Sequence, residues 1–415
     1  MAETEISEET RERAEQVTSA DIVVGIAGAV PPADLRVRAG EVLAELAPSA
    51  GSLRFVFAWP GTAEEAGSAA ENQNGHPAPT LLPYAAPPAN GDFWAPVSAN
   101  QRAVLALAAS LNARACIVLG ADLAALQSQA IQLFSYAVLE RQCGLVMPIY
   151  PAGKYDGLIN TGILSPLSRT LYGKKIQFPL AFDFAASGAM CARLAQGENS
   201  AQNNGLLWPV IIAATQSPQT AVGQVHIDVH HQTAAAGLEL SVVLAQLVGS
   251  LFAEMESGAA QWQRVRGSQP APVWGSAPAE KTDQEPIDAQ PMLDSFLLGS
   301  KNLEEVWRLV LPPNSMLELR HLTRLAPEQF RMPDELWASI VYDFALAWRL
   351  RTISRVHLLG ALTPLYLGWV ASWVREVAAL PRAAVEQRIE QLNRAWEEKK
   401  PYLLSRWRWP DRFNP

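Results

Sequence analysis

The sequence predicts an α/β fold: a mixed, mostly parallel sheet flanked by helices, followed by a C-terminal helical region. Three observations carry this. Ala20–Ile26 (ADIVVGI) and Leu53–Ala58 (LRFVFA) are β-branched and aromatic runs of strand length. Between them, Leu35, Ala39, Val42, Leu43 and Leu46 recur at helical spacing, which makes a βαβ opening with a right-handed crossover. From Ala236 onward the pattern turns helical and, apart from a linker over Arg264–Pro291, stays so.

The elements follow in order. Residues 1–19 read as an acidic lead-in, and MAETEISEETRERAEQ has no apolar stretch of the kind a secretory signal needs. Gly61–Pro96, rich in Pro, Gly, Ala and Asn, reads as a long loop. Ser98-Ala-Asn-Gln101 has a capping-box pattern and marks a helix start. Arg114–Leu119 (RACIVL) is a third strand, and Gln127, Ala130, Ile131, Phe134, Ala137 and Val138 line one helical face after it. Cys143–Tyr150 is a fourth strand, Leu206–Ala214 a fifth and Gln224–Val229 a sixth. Leu238–Glu256 is an apolar helix, and Arg264–Pro291 is a Pro-, Ala- and Glu-rich linker. Pro333-Asp-Glu opens a helix with carboxylates at the positive end of its dipole. Leu358–Val374 is the longest uncharged apolar run; Pro364 divides it into a buried helix pair, so no transmembrane segment is expected. The expected organisation is a sheet domain over 20–260, a linker over 261–292 and a helical domain over 293–415.

Composition narrows the function. A net charge of −8 with only 18% charged residues argues against nucleic acid as a partner, because phosphate binding needs a basic surface. The three cysteines, Cys116, Cys143 and Cys191, are scattered and fit neither a zinc site nor a disulfide framework, so a reducing, cytoplasmic setting is expected.

Four constellations could carry chemistry. Asp122, in Gly120-Ala121-Asp122, follows the RACIVL strand. A carboxylate there can hold Mg²⁺ or Mn²⁺ against a diphosphate, or can cap the next helix. The stretch Lys154–Arg193 carries Lys154, Tyr155, Asp156, Asn160, Thr161, Ser165, Ser168, Arg169, Lys174 and Lys175, then Asp183 between Phe182 and Phe184. Multipoint hydrogen bonding of that kind suits sugars and phosphates; singly, each residue fits a polar-flanked helix over Gly162–Tyr172. In His226-Ile-Asp228-Val-His230-His231, alternation puts His226, Asp228 and His230 on one strand face, which suits either a metal or solvent. The tail Ser405–Phe413 interleaves Arg and Trp and is expected to dock on its own domain or a partner subunit.

KYDGLINTGILSPLSRTLYGKK, FPLAFDFAASG and the helical PDELWASIVYDFALAW, LLGALTPLYLGWVASWV and KKPYLLSRW together resemble the GT-A-fold glycosyltransferases related to family 2, of the mannosylglycerate synthase and glucosyl-3-phosphoglycerate synthase types. The resemblance implies transfer of a hexose from a nucleotide-diphospho-sugar to a small acidic acceptor such as glycerate or 3-phosphoglycerate. It implies Asp183 as the catalytic carboxylate, Lys154, Tyr155, Asn160, Thr161 and Arg169 on the acceptor, and Gly25, Ile26 and Asp122 on the donor. Mg²⁺ or Mn²⁺ would sit on Asp122 with His230 or His231, and the protein would be a homodimer. The chain departs from the family on the donor side. Gly120 replaces the first Asp of the DxD-like motif, Ala58–Thr62 holds no carboxylate, and the Gly-Lys-Gly type turn reads Ser98-Ala-Asn-Gln101. The acceptor motif reads Ala181-Phe182-Asp183. Two readings follow: a hexosyltransferase with an altered donor site, in which Asp183→Ala abolishes activity without changing the melt, or a catalytically impaired relative acting as a binding or scaffolding partner.

Overall fold

The structure is a computed structural model and describes residues 17, 20–28, 30–50, 52–62, 79–85, 94–120, 123–196, 205–229, 238–277 and 287–410. The chain forms two compact units. The first contains residues 1–151, 176–236 and 270–280; the second contains 152–175, 237–269 and 281–415. The division is not collinear with the sequence: two inner segments belong with the C-terminal helices.

The strands of the main sheet are β1 (Ile22–Ile26), β2 (Phe55–Pro60), β3 (Thr80–Tyr84), β4 (Ala115–Leu119), β5 (Leu145–Ile149), β6 (Phe184–Ser187), β7 (Val222–His226) and β8 (Val273–Trp274). The helices are α1 (Pro32–Ala50), α2 (Trp94–Ser110), α3 (Ser128–Leu139), α4 (Ser165–Tyr172), α5 (Gly188–Ala195), α6 (Pro209–Gln216) and α7 (Leu240–Ser257). They continue with α8 (Gln290–Asn302), α9 (Glu304–Val310), α10 (Pro313–Leu322), α11 (Asp334–Leu350), α12 (Arg355–Val377), α13 (Arg382–Glu398) and α14 (Lys400–Arg408).

The first unit is an eight-stranded sheet in the order β8-β7-β5-β6-β4-β1-β2-β3. Every pair is parallel except the two made by β6, which runs against β4 and β5. Alternation explains the all-apolar strands. Ile22, Val24 and Ile26 of β1 face one side, where they pack with Leu35, Ala39 and Val42 of α1 and Ile131 and Phe134 of α3. Val23 faces the other, with Val104 and Leu105 of α2, Cys191 and Leu194 of α5 and Val210 of α6. Both faces are covered, so no polar residue is needed on either. Gly25 belongs to this packing: a Cβ there would sit 2.1 Å from Val104 Cγ1, so α2 approaches β1 only because the side chain is absent.

Several elements differ from expectation. Thr80–Tyr84, inside the predicted loop, is an edge strand; Pro83 is tolerated because an edge strand does not need every N–H. Leu206–Ala214, expected as a strand, enters helix α6, with Trp208 before it and Pro209 at its first position, where proline's fixed φ suits a helix. Helix α2 begins at Trp94, a turn before Ser98, and the apparent capping box is interior. Ser98 Oγ instead accepts the Leu207 N–H at 3.0 Å. Val273–Trp274, within the stretch read as linker, pairs in parallel with β7.

The second unit is helical. Trp337, Trp369, Trp373 and Trp396 are fully buried, and Trp369 stacks on Trp337 at 5.9 Å and on Trp373 at 5.6 Å between ring centroids. α12 is one continuous helix through Pro364, not a pair. The proline ring rests where Gly299 of α8 has no side chain, since a Cβ there would meet Pro364 Cβ at 2.5 Å. The Trp307 indole N–H donates to Ala361 O at 2.9 Å beside the interruption, so tertiary contacts offset the lost backbone bond. The tail docks on its own unit as far as it is described: Arg406 and Trp407 are buried, and Trp407 meets Trp262 edge-on at 5.2 Å. Among the described residues one helix, Leu240–Ser257, is long and apolar enough to cross a membrane, and 56% of that window is buried inside the protein.

Candidate functional site

In the first unit, the carboxyl ends of the parallel strands meet around Asp183. β6 runs antiparallel between β4 and β5, so the residue before it stands at the carboxyl ends of both neighbours. Strand order reverses next to this, between β1 and β4, and the carboxyl ends of strands at such a reversal are where open α/β sheets bind ligands.

Asp183 is fully buried and both carboxylate oxygens are engaged. Gly120 N–H donates to Oδ1 at 2.9 Å, and Tyr150 O–H donates to Oδ2 at 2.8 Å. The Asp183 N–H in turn donates to Tyr150 Oη at 3.1 Å, closing a two-bond ring with the tyrosine. Burial, and next the Asp183 charge, push the Tyr150 hydroxyl well above its usual range, so it stays a protonated donor. The carboxylate thus ties the end of β4 to the end of β5.

The rest of the rim is closed by side chains to which the sequence reading gave no part in a site. Gln101 Nε2 donates to Ala181 O and Phe182 O, both at 3.2 Å. Trp94 stacks on Phe182 at 4.3 Å. Asn100 Nδ2 donates to Ala27 O at 2.8 Å, and the Tyr84 hydroxyl donates to Ile26 O at 2.7 Å. Asn100 and Gln101, nearly two turns into α2, therefore hold the backbone at the ends of β1 and β6. The readable signal was a Ser-x-Asn-Gln cluster within an apolar helix; polar residues in such a place need buried partners.

The expected donor residues Gly25 and Ile26 are at this rim. Gly25 is accounted for by the approach of Val104, and Ile26 offers a backbone carbonyl already taken by Tyr84. Asp122, His230 and His231 lie outside the described residues. Among the described residues no group of three or more His, Cys, Asp or Glu side chains is placed to hold a metal. β7 stops at His226, so the strand alternation expected through His230 does not continue as strand. Asp228 is exposed, and its carbonyl accepts from Gln127 Nε2 at 3.0 Å.

The expected acceptor residues belong to the second unit. Lys154, Tyr155, Asn160 and Thr161 are half-buried in the turns leading into α4. Lys154 Nζ donates to Ala378 O at 3.3 Å, and its own carbonyl accepts from the Trp373 indole at 3.3 Å. Thr161 N–H donates to Gly157 O at 2.9 Å; Gly157 has φ +61°, a conformation that favours glycine. Asn160–Leu164 forms one π-helical turn, and Gly162 lets it press on Trp369 while its carbonyl accepts from the Trp337 indole at 2.7 Å.

Arg169 is almost wholly buried. It donates to Glu390 through Nη1 at 2.6 Å and Nη2 at 3.0 Å, to Glu397 through Nη2 at 2.9 Å and to Ser268 through Nε at 3.2 Å. Lys175 Nζ donates to the same Glu390 at 3.2 Å. Glu390 is held down to about 2, first by its bond from Arg169.

No family model matches the chain, and no curated protein matches it. Solved structures similar to it include glucosyl- and mannosyl-3-phosphoglycerate synthases. Glucosyl-3-phosphoglycerate synthase from Mycobacterium tuberculosis in complex with phosphoglyceric acid is 13% identical, with a TM-score of 0.39, over 59% of this chain and 82% of that one. The same enzyme in complex with Mn²⁺, uridine diphosphate and glucosyl-3-phosphoglycerate gives 13%, 0.38 and the same coverage. Mannosyl-3-phosphoglycerate synthase from Rubrobacter xylanophilus is 12% identical, with a TM-score of 0.37, over 62% of this chain and 80% of that one.

Proposed function

We propose that this chain keeps a glycosyltransferase-like framework and acts as a binding or scaffolding protein rather than as a hexosyltransferase. The observation that carries this reading is the state of Asp183: a fully buried carboxylate with both oxygens already accepting hydrogen bonds from Gly120 and Tyr150. A group that orients an acceptor hydroxyl must reach it directly or through one water. Asp183 has no exposed surface through which an acceptor could approach, and swinging out to meet one would leave the Gly120 N–H or the Tyr150 hydroxyl without its partner.

Arg169 supports the same reading. A guanidinium is a good anchor for an acidic or phosphorylated acceptor because its fork matches carboxylate and phosphate oxygens. Here the fork is filled by Glu390 and Glu397. The three cysteines are free and buried, which suits a cytoplasmic protein.

A second reading has one feature in its favour: Gly120, fixed by Asp183, immediately precedes Ala121-Asp122, so a metal-binding Asp122 would start from an anchored backbone. In that reading Mg²⁺ or Mn²⁺ on Asp122 with His230 or His231 neutralises a nucleotide diphosphate, and the acceptor is glycerate or 3-phosphoglycerate. Among the described residues no group of three or more His, Cys, Asp or Glu side chains is placed to hold such an ion, so this reading depends on Asp122 and the two histidines.

Calorimetric titration of the full chain with UDP-glucose and GDP-mannose, each with Mn²⁺, separates the two. No heat of binding from a folded protein is expected. Binding that disappears in Asp122→Ala would overturn the proposal in favour of transfer.

A further inference from the structure

One pole of the helical unit is cationic and apolar at once. Helices α11 and α14 run the same way: Asp343 accepts from Tyr402 and Arg406, and further along Arg349 Nη1 donates to Trp407 O at 2.8 Å. Their carboxyl ends therefore lie side by side, and α12 begins there too, after the short turn 351–354. Arg408 Nε reaches Gln263 Oε1 at 3.5 Å, and Arg355 pairs with Glu256 at 2.8 Å, so residues 256–264 line the same pole.

The apolar side chains of this pole stand in water. Leu350, the last residue of α11, is 45% exposed, Val356 in the first turn of α12 is 80% exposed, and Trp409, just past α14, is 67% exposed. Its charge runs against that of the chain. Arg264, Arg351 and Arg408 are exposed, and among the described residues no carboxylate pairs with them or with Arg349. Arg355 is neutralised by Glu256. Helix carboxyl ends favour cations, which accounts for some of the arginines. It does not account for a tryptophan, a valine and a leucine held out among them, and grouped exposed apolar side chains mark interaction surfaces.

We propose that this pole docks on an anionic membrane surface, with Trp409, Val356 and Leu350 entering the headgroup layer and the unpaired arginines resting on lipid phosphates. An indole, apolar with one N–H donor, settles at the bilayer interface, and a guanidinium fork matches phosphate oxygens. The net charge of −8 repels such a surface as a whole. At physiological ionic strength that repulsion is screened beyond about 8 Å, so a local basic pole can make contact while the acidic remainder stays off. A soluble polyanion would meet the arginines and leave the apolar side chains in water. The docking is peripheral and independent of whether the sheet unit transfers sugar.

Co-sedimentation of the full chain with vesicles tests it, using phosphatidylcholine mixed with phosphatidylglycerol against phosphatidylcholine alone. The chain sediments with the anionic vesicles, less so as salt is raised, and stays in solution with the neutral ones. Arg351 has φ +53°, which asparagine tolerates well, so Arg351→Asn removes the charge without backbone strain. It weakens binding about fivefold, the effect of one cation at an anionic surface, and the difference fades at high salt. Trp409→Ala weakens binding at every salt concentration, because apolar insertion is not screened. Arg324→Glu, a larger charge change at an exposed arginine ahead of α11, leaves binding as it was. The proposal is overturned if the folded chain ignores anionic vesicles, if neutral vesicles bind it equally, if Trp409→Ala binds like the parent, or if Arg324→Glu weakens binding as much as Arg351→Asn. Retention on heparin with no binding to vesicles would mark a polyanion site and overturn it as well.

Discussion

Arg169 and Glu390 are joined by two parallel hydrogen bonds, Nη1 to Oε2 at 2.6 Å and Nη2 to Oε1 at 3.0 Å, with Glu397 closing on the same guanidinium at 2.9 Å. The arginine side chain is 5% exposed, while Glu390 is 36% exposed. Arg169→Ala therefore strands two carboxylates, only one of which water can fully relieve. The expected loss is about 2 kcal/mol in urea unfolding, below the ~3–5 kcal/mol of a wholly buried pair. Arg169→Lys recovers only part of it, since an ammonium cannot span both glutamates in the same way. If Arg169 served only a ligand, neither change would move the urea midpoint.

Acid unfolding carries the signature of Glu390. Its folded value of about 2 is below the ordinary 4.5, so the stabilisation is fully present above pH 4.5 and is lost as the pH falls toward 2. The stability of the parent protein should fall more steeply across that window than that of Glu390→Gln. Parallel profiles in denaturant titrations at several pH values would show that the pairing adds nothing.

Asp183 is expected to matter for stability, whatever it does for chemistry. Asp183→Ala removes the acceptor for Gly120 N–H and Tyr150 O–H and should cost about 1–3 kcal/mol by leaving them unsatisfied. The sequence alone led to an unchanged melt. A thermal scan decides, and Tyr150→Phe in the Asp183→Ala background should add less than it does alone, because the two share one bond.

Gly25→Ala should destabilise by about 1–3 kcal/mol through the clash with Val104. Val104→Ala in the same chain opens the space and should recover most of that loss. A donor-binding role without a packing role would leave the Gly25→Ala melt where it was.

Much of the fold was legible because β1, β2, β4 and β5 are apolar on both faces and separated by helical periods. The edge strand Thr80–Tyr84 was not, because it is short, carries Pro83 and is embedded in turn-rich sequence. Pro364 misled for the opposite reason: a local rule about proline was overridden by Gly299 and Trp307, which are distant in sequence. At the candidate site, composition could identify Asp183 and Arg169 as unusual but could not say what they faced. Their partners Tyr150, Glu390 and Glu397 are 33 or more residues away, and nothing local announces them.

The interleaving of the two units limits how the gene can be divided. A fragment starting at residue 287 would contain Trp337, Trp348 and Leu359 but not Gly162, whose carbonyl receives the Trp337 indole, nor Gly249, against which Trp348 and Leu359 close. It would expose that tryptophan-rich surface to water and should aggregate rather than fold. Deletion mapping of a binding activity on this chain would then report loss of folding from either terminus, and the activity would seem to need the whole protein.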